Sequence, residues 1–170
     1  MLEEFEKKDF QKILKHNALE AHRWMKETDS SAVRVYDRNL GAFPVTVELY
    51  NEYARIVDYS VPPMADDDVT LMKDIVSRFL YIEHDRILYL ARKKREGREQ
   101  HEKTDESLAV EVRESGLTFE CELLKYVDTG LFLDQVNTRR MIQGMSRSMR
   151  VLNLFAYTSS FSVYAAAGGA

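Results

Sequence analysis

A single cysteine, Cys121, is all that the 170 residues contain. That excludes an internal disulfide and any zinc site built from several cysteines, and it suits a reducing compartment. No apolar run approaches the ~18 residues that a membrane span requires. The opening stretch MLEEFEKKDF is too acidic and too poor in apolar residues for a secretory signal. These absences predict a soluble, cytoplasmic chain with no membrane partner. A basic excess is also missing, because 24 Lys and Arg stand against 28 Asp and Glu for a formal net charge of -4. Nucleic-acid binding then requires a local basic patch, since the bulk charge opposes it. The histidines His16, His22, His84 and His101 are scattered without an i, i+4 pair, so no metal site is predicted.

What the chain does hold is enough apolar residue, 45%, to bury a core. From Leu2 to about Glu27 the apolar positions Phe5, Phe10, Ile13, Leu14, Ala21, Trp24 and Met25 recur at helical spacing. Three strand-like runs follow, Ala32–Asp37, Val45–Tyr50 and Tyr53–Ser60, the last two joined by a tight Asn51-Glu52 turn. Two prolines then break the pattern. An Asp among Asp66–Asp68 is expected to cap a helix reaching about Ile82. A fourth strand spans Arg86–Arg92, and a long polar segment reads as a loop. The segment LAVEVRESGLTFECELL is a clear hairpin turning at Ser115-Gly116, with Cys121 on its apolar face. A helix from about Gln135 to Met145 precedes the final segment. The expectation is an α+β fold: a mostly antiparallel six-strand unit with one packed helix, preceded by an N-terminal helix. It divides into residues 1–30, 31–128 and 129–170.

Two stretches bear on function. In VLNLFAYTSSFSVYAAAGGA, residues 151–170, an apolar run leads through small hydroxyl residues into a helix-like stretch. This is the layout of the first strand, turn and helix of a Rossmann-like domain. Laid over a common V-L-D-L-G-x-G-T-G cofactor loop, it puts Phe155, Tyr157 and Ser159 at the three glycine positions and Asn153 at the acid. Glycine serves there because backbone approaches ligand closely, with a helix N-terminus behind. The residues alone leave an ordinary strand–helix unit open, with Ser159 or Ser160 as N-cap. The second stretch, Arg92–Arg98, sets Arg92, Lys93, Lys94, Arg95 and Arg98 within seven residues. On a loop these side chains suit phosphate contact, the competing reading being a solvated charged loop.

The segment DTGLFLDQVNTRRMI, followed by VLNLFAYTSSFSVYAAAGGA, resembles a family of SAM-dependent large-subunit rRNA methyltransferases. Their first motif reads N-x-F-x-Y-T-G in place of the glycine-rich loop. RVYDRNLGAFPVTVELY, ARKKREGREQHEK and VRESGLTFECELLKYVDTGLFLD resemble, in the same order, the segment preceding the catalytic domain there. The nearest likeness is to the guanine-N7 methyltransferase half of a bifunctional enzyme, with PUA-containing cytosine-C5 methyltransferases more distant. The resemblance implies that 31–128 positions RNA and that 129–170 opens the methyltransferase domain. It implies S-adenosyl-L-methionine (SAM) contact by Phe132, Asp134, Phe155, Tyr157, Thr158, Ser159 and Ser160. Phe132 would be an apolar wall, and Thr158, Ser160 and nearby N–H groups would be donors to the SAM carboxylate. It also implies rRNA contact by the Arg92–Arg98 run and by Arg139 and Arg140, the other reading of these two being pairs with nearby acids. The family usually has glycine at Ser159 and arginine at Val136, which implies a weaker hold on SAM here. No catalytic residue carries over, because the family's later Asp-Pro-Pro motif has no counterpart in these residues. The expectation is the front part of such an enzyme, inactive alone. The competing expectation is a non-catalytic RNA-binding module from that family, and the apolar final segment allows self-association.

Overall fold

The amphipathic first segment forms α1 (Glu4–Thr28), opened by a reciprocal Glu3–Glu6 capping box and buried along Phe10, Leu14, Ala18 and Ala21. The computed structural model describes residues 3–92 and 106–170. Strands β1 (Ala32–Asp37), β2 (Val45–Tyr50) and β3 (Tyr53–Asp58) follow, then α2 (Asp66–Leu80) and β4 (Ile87–Ala91). A ribbon of β5 (Ala109–Glu114) and β6 (Leu117–Glu122) leads to α3 (Val136–Met145) and α4 (Ser160–Ala167). The chain is α+β, as expected.

The six strands form two sheets rather than one unit. One has the order β1-β2-β3-β4, and the ribbon β5-β6 is separate. β1, β2 and β3 pair antiparallel, but β4 lies parallel to β3, with Ile56 opposite Tyr89. Parallel neighbours need a long crossover, which α2 supplies. The expected Asp cap is not formed. Ala65 is the N-cap of α2, and Asp66, Asp67 and Asp68 occupy its first turn, where they favour its positive end. The tight turns rest on left-handed backbone at Asn51 (φ 52) and at Ser115-Gly116 (φ 52 and 78), the pair a two-residue hairpin turn needs.

Two helices, not one, cover a face of the sheet. Phe10 and Leu14 of α1, with Met72, Ile75 and Val76 of α2, pack on Val47, Leu49, Ala54 and Ile56. Phe10 stacks on Phe43 at 4.3 Å between ring centroids. The other face carries Tyr50 and meets a second cluster of Val112, Cys121, Leu123, Leu131 and Leu133. With both faces covered, every residue of β2 is buried. Burial pushes the Cys121 thiol up to about 12, with the Glu114 and Glu48 charges adding to it. It is therefore an inert core residue.

Residues 151–155 do not form the expected strand. Among the described residues no strand runs beside them, so their backbone has no ladder to join. The helix after them does form, and its end sits close against α3. A Cβ on Gly168 would lie 2.1 Å from the Gln143 carbonyl oxygen.

Candidate functional site

Two buried arginines hold the segment that links the ribbon to α3. Arg55, on the second face of the sheet, is 2% exposed. It donates from Nε to Leu123 O (3.0 Å) and from Nη2 to Tyr126 O (2.8 Å) and Val127 O (2.7 Å). Its Nη1 lies 3.5 Å from Glu48, which also accepts from Arg34 and Tyr50. The second, Arg139 on α3, is fully buried. It donates from Nε and Nη2 to the two Glu114 oxygens at 2.7 Å each, and from Nη2 to Phe132 O at 2.9 Å. Tyr164 of α4 completes the knot, its hydroxyl 2.9 Å from Glu114 Oε1. Burial, reinforced by the Glu114 carboxylate, pushes that hydroxyl up to about 12, so it remains a donor at neutral pH. One clamp thereby joins the ribbon, α3, α4 and the backbone of Phe132. Arg139 Nη1 has no hydrogen-bond partner among the described residues.

Arg139 is therefore corrected: its guanidinium is committed inside the protein and offers nothing to RNA. Alternation along β5 carried the signal, because Glu114 shares the inward face of Val110 and Val112. A carboxylate on that face needs a buried cation. Arg140, the next residue on α3, is exposed. Arg92 is exposed too, with its guanidinium carbon 5.1 Å from the Tyr59 ring centroid. Lys93, Lys94, Arg95 and Arg98 lie outside the described residues.

The motif loop keeps the backbone of a glycine-rich loop without the glycines. Phe155, Tyr157 and Ser159 have φ of 58, 53 and 66, the left-handed region, at the three positions where the common pattern has glycine. Each such residue with a side chain costs about 1–2 kcal/mol. Phe155 is fully exposed, so no packing of its ring accounts for that strain. Tyr157 lies 5.2 Å from Phe132 between ring centroids, and the two form one partly exposed aromatic wall. Burial raises the Tyr157 hydroxyl above the ordinary phenol range, and Asp128 adds to it. The Thr158 hydroxyl donates to Gly130 O at 2.6 Å and fastens the loop to the GLFLD segment. Its proton is therefore not the carboxylate donor expected from the sequence. Gly130 is one place where glycine is required, with φ of 96 and Thr158 Cγ2 3.5 Å from where a Cβ would stand.

Ser159 is the N-cap of α4 but makes no capping bond with its side chain. Ser160 is buried at the helix start. Asn153 reaches forward to Ser162 Oγ at 2.9 Å, fixing the loop's entry against the helix. The first-turn N–H groups of Ser160, Phe161 and Ser162 have no intrahelical acceptor, as at any helix start. Asp134 is exposed and accepts from Gln135 Nε2. The structure thus brings Phe132, Tyr157 and Thr158 together. Asp134 sits on the turn just before α3, where Val136 begins the helix.

The family model for S-adenosylmethionine-dependent methyltransferases matches residues 80–170. A ribosomal RNA large subunit methyltransferase K/L of Shewanella amazonensis is 35% identical over 167 residues, covering 95% of this chain and 24% of the relative. Its counterpart in Pseudoalteromonas translucida is 37% identical with the same coverage. The chain thus spans about a quarter of the length of these curated relatives. Among solved structures, a Streptococcus mutans protein assigned as a SAM-dependent methyltransferase superposes with a TM-score of 0.71 at 25% identity, over 96% of this chain and 43% of that one. A second crystal structure, assigned as a methyltransferase and complexed with SAH, gives 0.70 at 25% identity, over 96% and 42%.

Proposed function

The chain belongs to the S-adenosylmethionine-dependent methyltransferase family, and from that premise we propose that it carries the RNA-positioning unit and part of the cofactor site of an enzyme that methylates large-subunit ribosomal RNA. The observation that carries the reading is the left-handed backbone at Phe155, Tyr157 and Ser159. Strain of that kind persists where the surrounding structure and a function hold it in place. A module that had given up the cofactor has no use for it, so the non-catalytic alternative is not favoured.

In this reading the working division is residues 1–30, 31–128 and 129–170. Bound SAM supplies an electrophilic methyl group for transfer to a base. Phe132 and Tyr157 wall its apolar part. The first-turn N–H groups of α4 face its carboxylate, the helix N-terminus favouring the anion. Asp134, Phe155, Thr158, Ser159 and Ser160 frame the same loop. Ribosomal RNA is the proposed partner through the Arg92–Arg98 run and Arg140, and the cytoplasm is the proposed compartment. No described helix is long and apolar enough to cross a membrane. The exposed Leu152, Leu154 and Phe155 support self-association through this segment as a further proposal.

Calorimetric titration of S-adenosylhomocysteine into the 170-residue chain tests the cofactor reading. Binding that weakens in Phe132→Ala and Tyr157→Ala is the expected result. No heat from the wild-type chain at millimolar ligand would count against it. The 170 residues alone are expected to transfer no methyl group, so incorporation of labelled methyl into rRNA by this chain would overturn that part.

A further inference from the structure

β1, β3 and β4 run in one direction, so their C-terminal ends meet at one end of the sheet. Three side chains that the motifs do not single out as a group converge there. The guanidinium carbon of Arg38, just after β1, lies 4.9 Å from the centroid of the Tyr59 ring, and that of Arg92, just after β4, lies 5.1 Å from it. Tyr59 itself follows β3 by one residue. The backbone at all three positions is tied to the sheet: Arg38 N donates to Val45 O, Tyr59 N to Pro44 O, and Arg92 N to Asp58 O. Asp37 accepts from Arg38 Nε at 2.9 Å, which fixes the guanidinium's orientation. The terminal nitrogens of Arg38 and Arg92 have no hydrogen-bond partner among the described residues.

The charges around the ring are set unequally. Arg34 is spent on Glu48 and Asp37 within the fold. Asp58 is buried and committed to Ser60, Met64 N and Tyr89. Asp37 offsets part of the positive charge, leaving Arg38 and Arg92 as the two exposed cations on the aromatic face. A guanidinium resting over a ring leaves its terminal N–H groups available, and these can engage phosphate oxygens in pairs. Ordering the two side chains beforehand also lowers the entropy lost on binding. The cleft next to Tyr59 is lined by Arg34, Asp128 and Phe132. A strand held at this end of the sheet therefore borders the aromatic wall of the cofactor site.

We propose that Arg38, Tyr59 and Arg92 form a phosphate clamp for a single-stranded segment of the RNA substrate, leading a nucleotide toward Phe132. This deepens the reading of the chain as part of an rRNA methyltransferase and rests on it. The test is fluorescence anisotropy of a labelled single-stranded oligonucleotide of large-subunit rRNA sequence, titrated with the 170-residue chain over a series of salt concentrations. Arg38→Gln and Arg92→Gln should each reduce the slope of log affinity against log salt by about 0.7. Arg38→Lys should keep the slope, because its charge remains. Tyr59→Leu should keep the slope and lose affinity, because the cations stay but are no longer ordered. Arg23→Gln, on exposed α1, should change nothing. All four sites are at least partly exposed, and unchanged melting temperatures will show that the variants fold. Wild-type binding with slopes unmoved in both Gln variants would overturn the clamp while leaving the substrate reading intact. Absence of any salt-dependent binding by the wild-type chain would overturn both.

Discussion

Residues 3–92 hold together by backbone pairing and by apolar side chains buried on both sides of a sheet, as in the Phe10–Phe43 stack over Val47 and Ile56. Residues 129–170 lend Leu131 and Leu133 to the second apolar cluster, but α3 and α4 are also tied by a polar knot, the Glu114–Arg139–Tyr164 clamp, while Leu152, Leu154 and Phe155 stand in solvent. Left-handed backbone is distributed differently. In the first region it falls at single residues, Asp29 and Tyr81 closing α1 and α2, Arg38 after β1 and Asn51 in the β2-β3 turn, whereas the last region sets Phe155, Tyr157 and Ser159 at alternate positions of one loop. Isolated left-handed residues end helices and turns, where one strained position suffices, whereas three at alternate positions shape a whole loop.

The largest effect should come from breaking the polar fastening. Arg139→Met leaves Glu114 charged and unpaired in the interior and should cost about 3–5 kcal/mol in chemical denaturation. Adding Glu114→Leu should recover much of that loss, because the uncompensated charge goes too. A double variant no better than the single would mean that the clamp is not what holds α3. The apolar half gives the matching contrast. Phe10→Ala should cost about 3–5 kcal/mol, while Leu152→Ala, a truncation of a residue 80% exposed, should stay within about 0.5 kcal/mol. Comparable losses at the two sites would erase the contrast. The smallest effect is a gain. Ser159→Gly relieves a left-handed residue (φ 66) and, after the added freedom of the unfolded chain, should stabilise by about 0.5–1 kcal/mol. A loss on thermal melting would show that the serine side chain supports the loop.

Much of the fold was legible in the residues, and the gaps have physical causes. The period of α1, the alternation of β5 and β6 and the Ser115-Gly116 turn are local signals, and each element stands where its signal lies. Strand direction has no such signal. Alternation in Ile87–Ala91 reads the same whether β4 runs with β3 or against it, and only the α2 crossover makes it parallel. Val151–Phe155 has strand-like residues, but a strand is a relation between chains of hydrogen bonds, and its partner is not among the described residues. At the site, the positions of Phe132, Tyr157 and Thr158 were readable through the motif. The Thr158 bond to Gly130 was not, since it depends on how two segments 28 residues apart meet. The assignment of Arg139 to RNA fails for a similar reason: pairing with a nearby acid is the other reading, and the inward-facing Glu114 decides for it.

The Arg55 grip also bears on the order in which the molecule assembles. Its three carbonyl acceptors lie 68, 71 and 72 residues further along the chain, so they cannot be supplied by the hairpin in which Arg55 sits. The β2-β3 pairing is local and quick and sets Glu48 opposite Arg55, but the Nε and Nη2 donors of the guanidinium must stay wet until those acceptors arrive. Drying of that face is therefore expected to accompany docking of residues 123–127. The segment leading to Phe132 and the Phe155–Ser159 loop would then be locked in the step that closes the sheet.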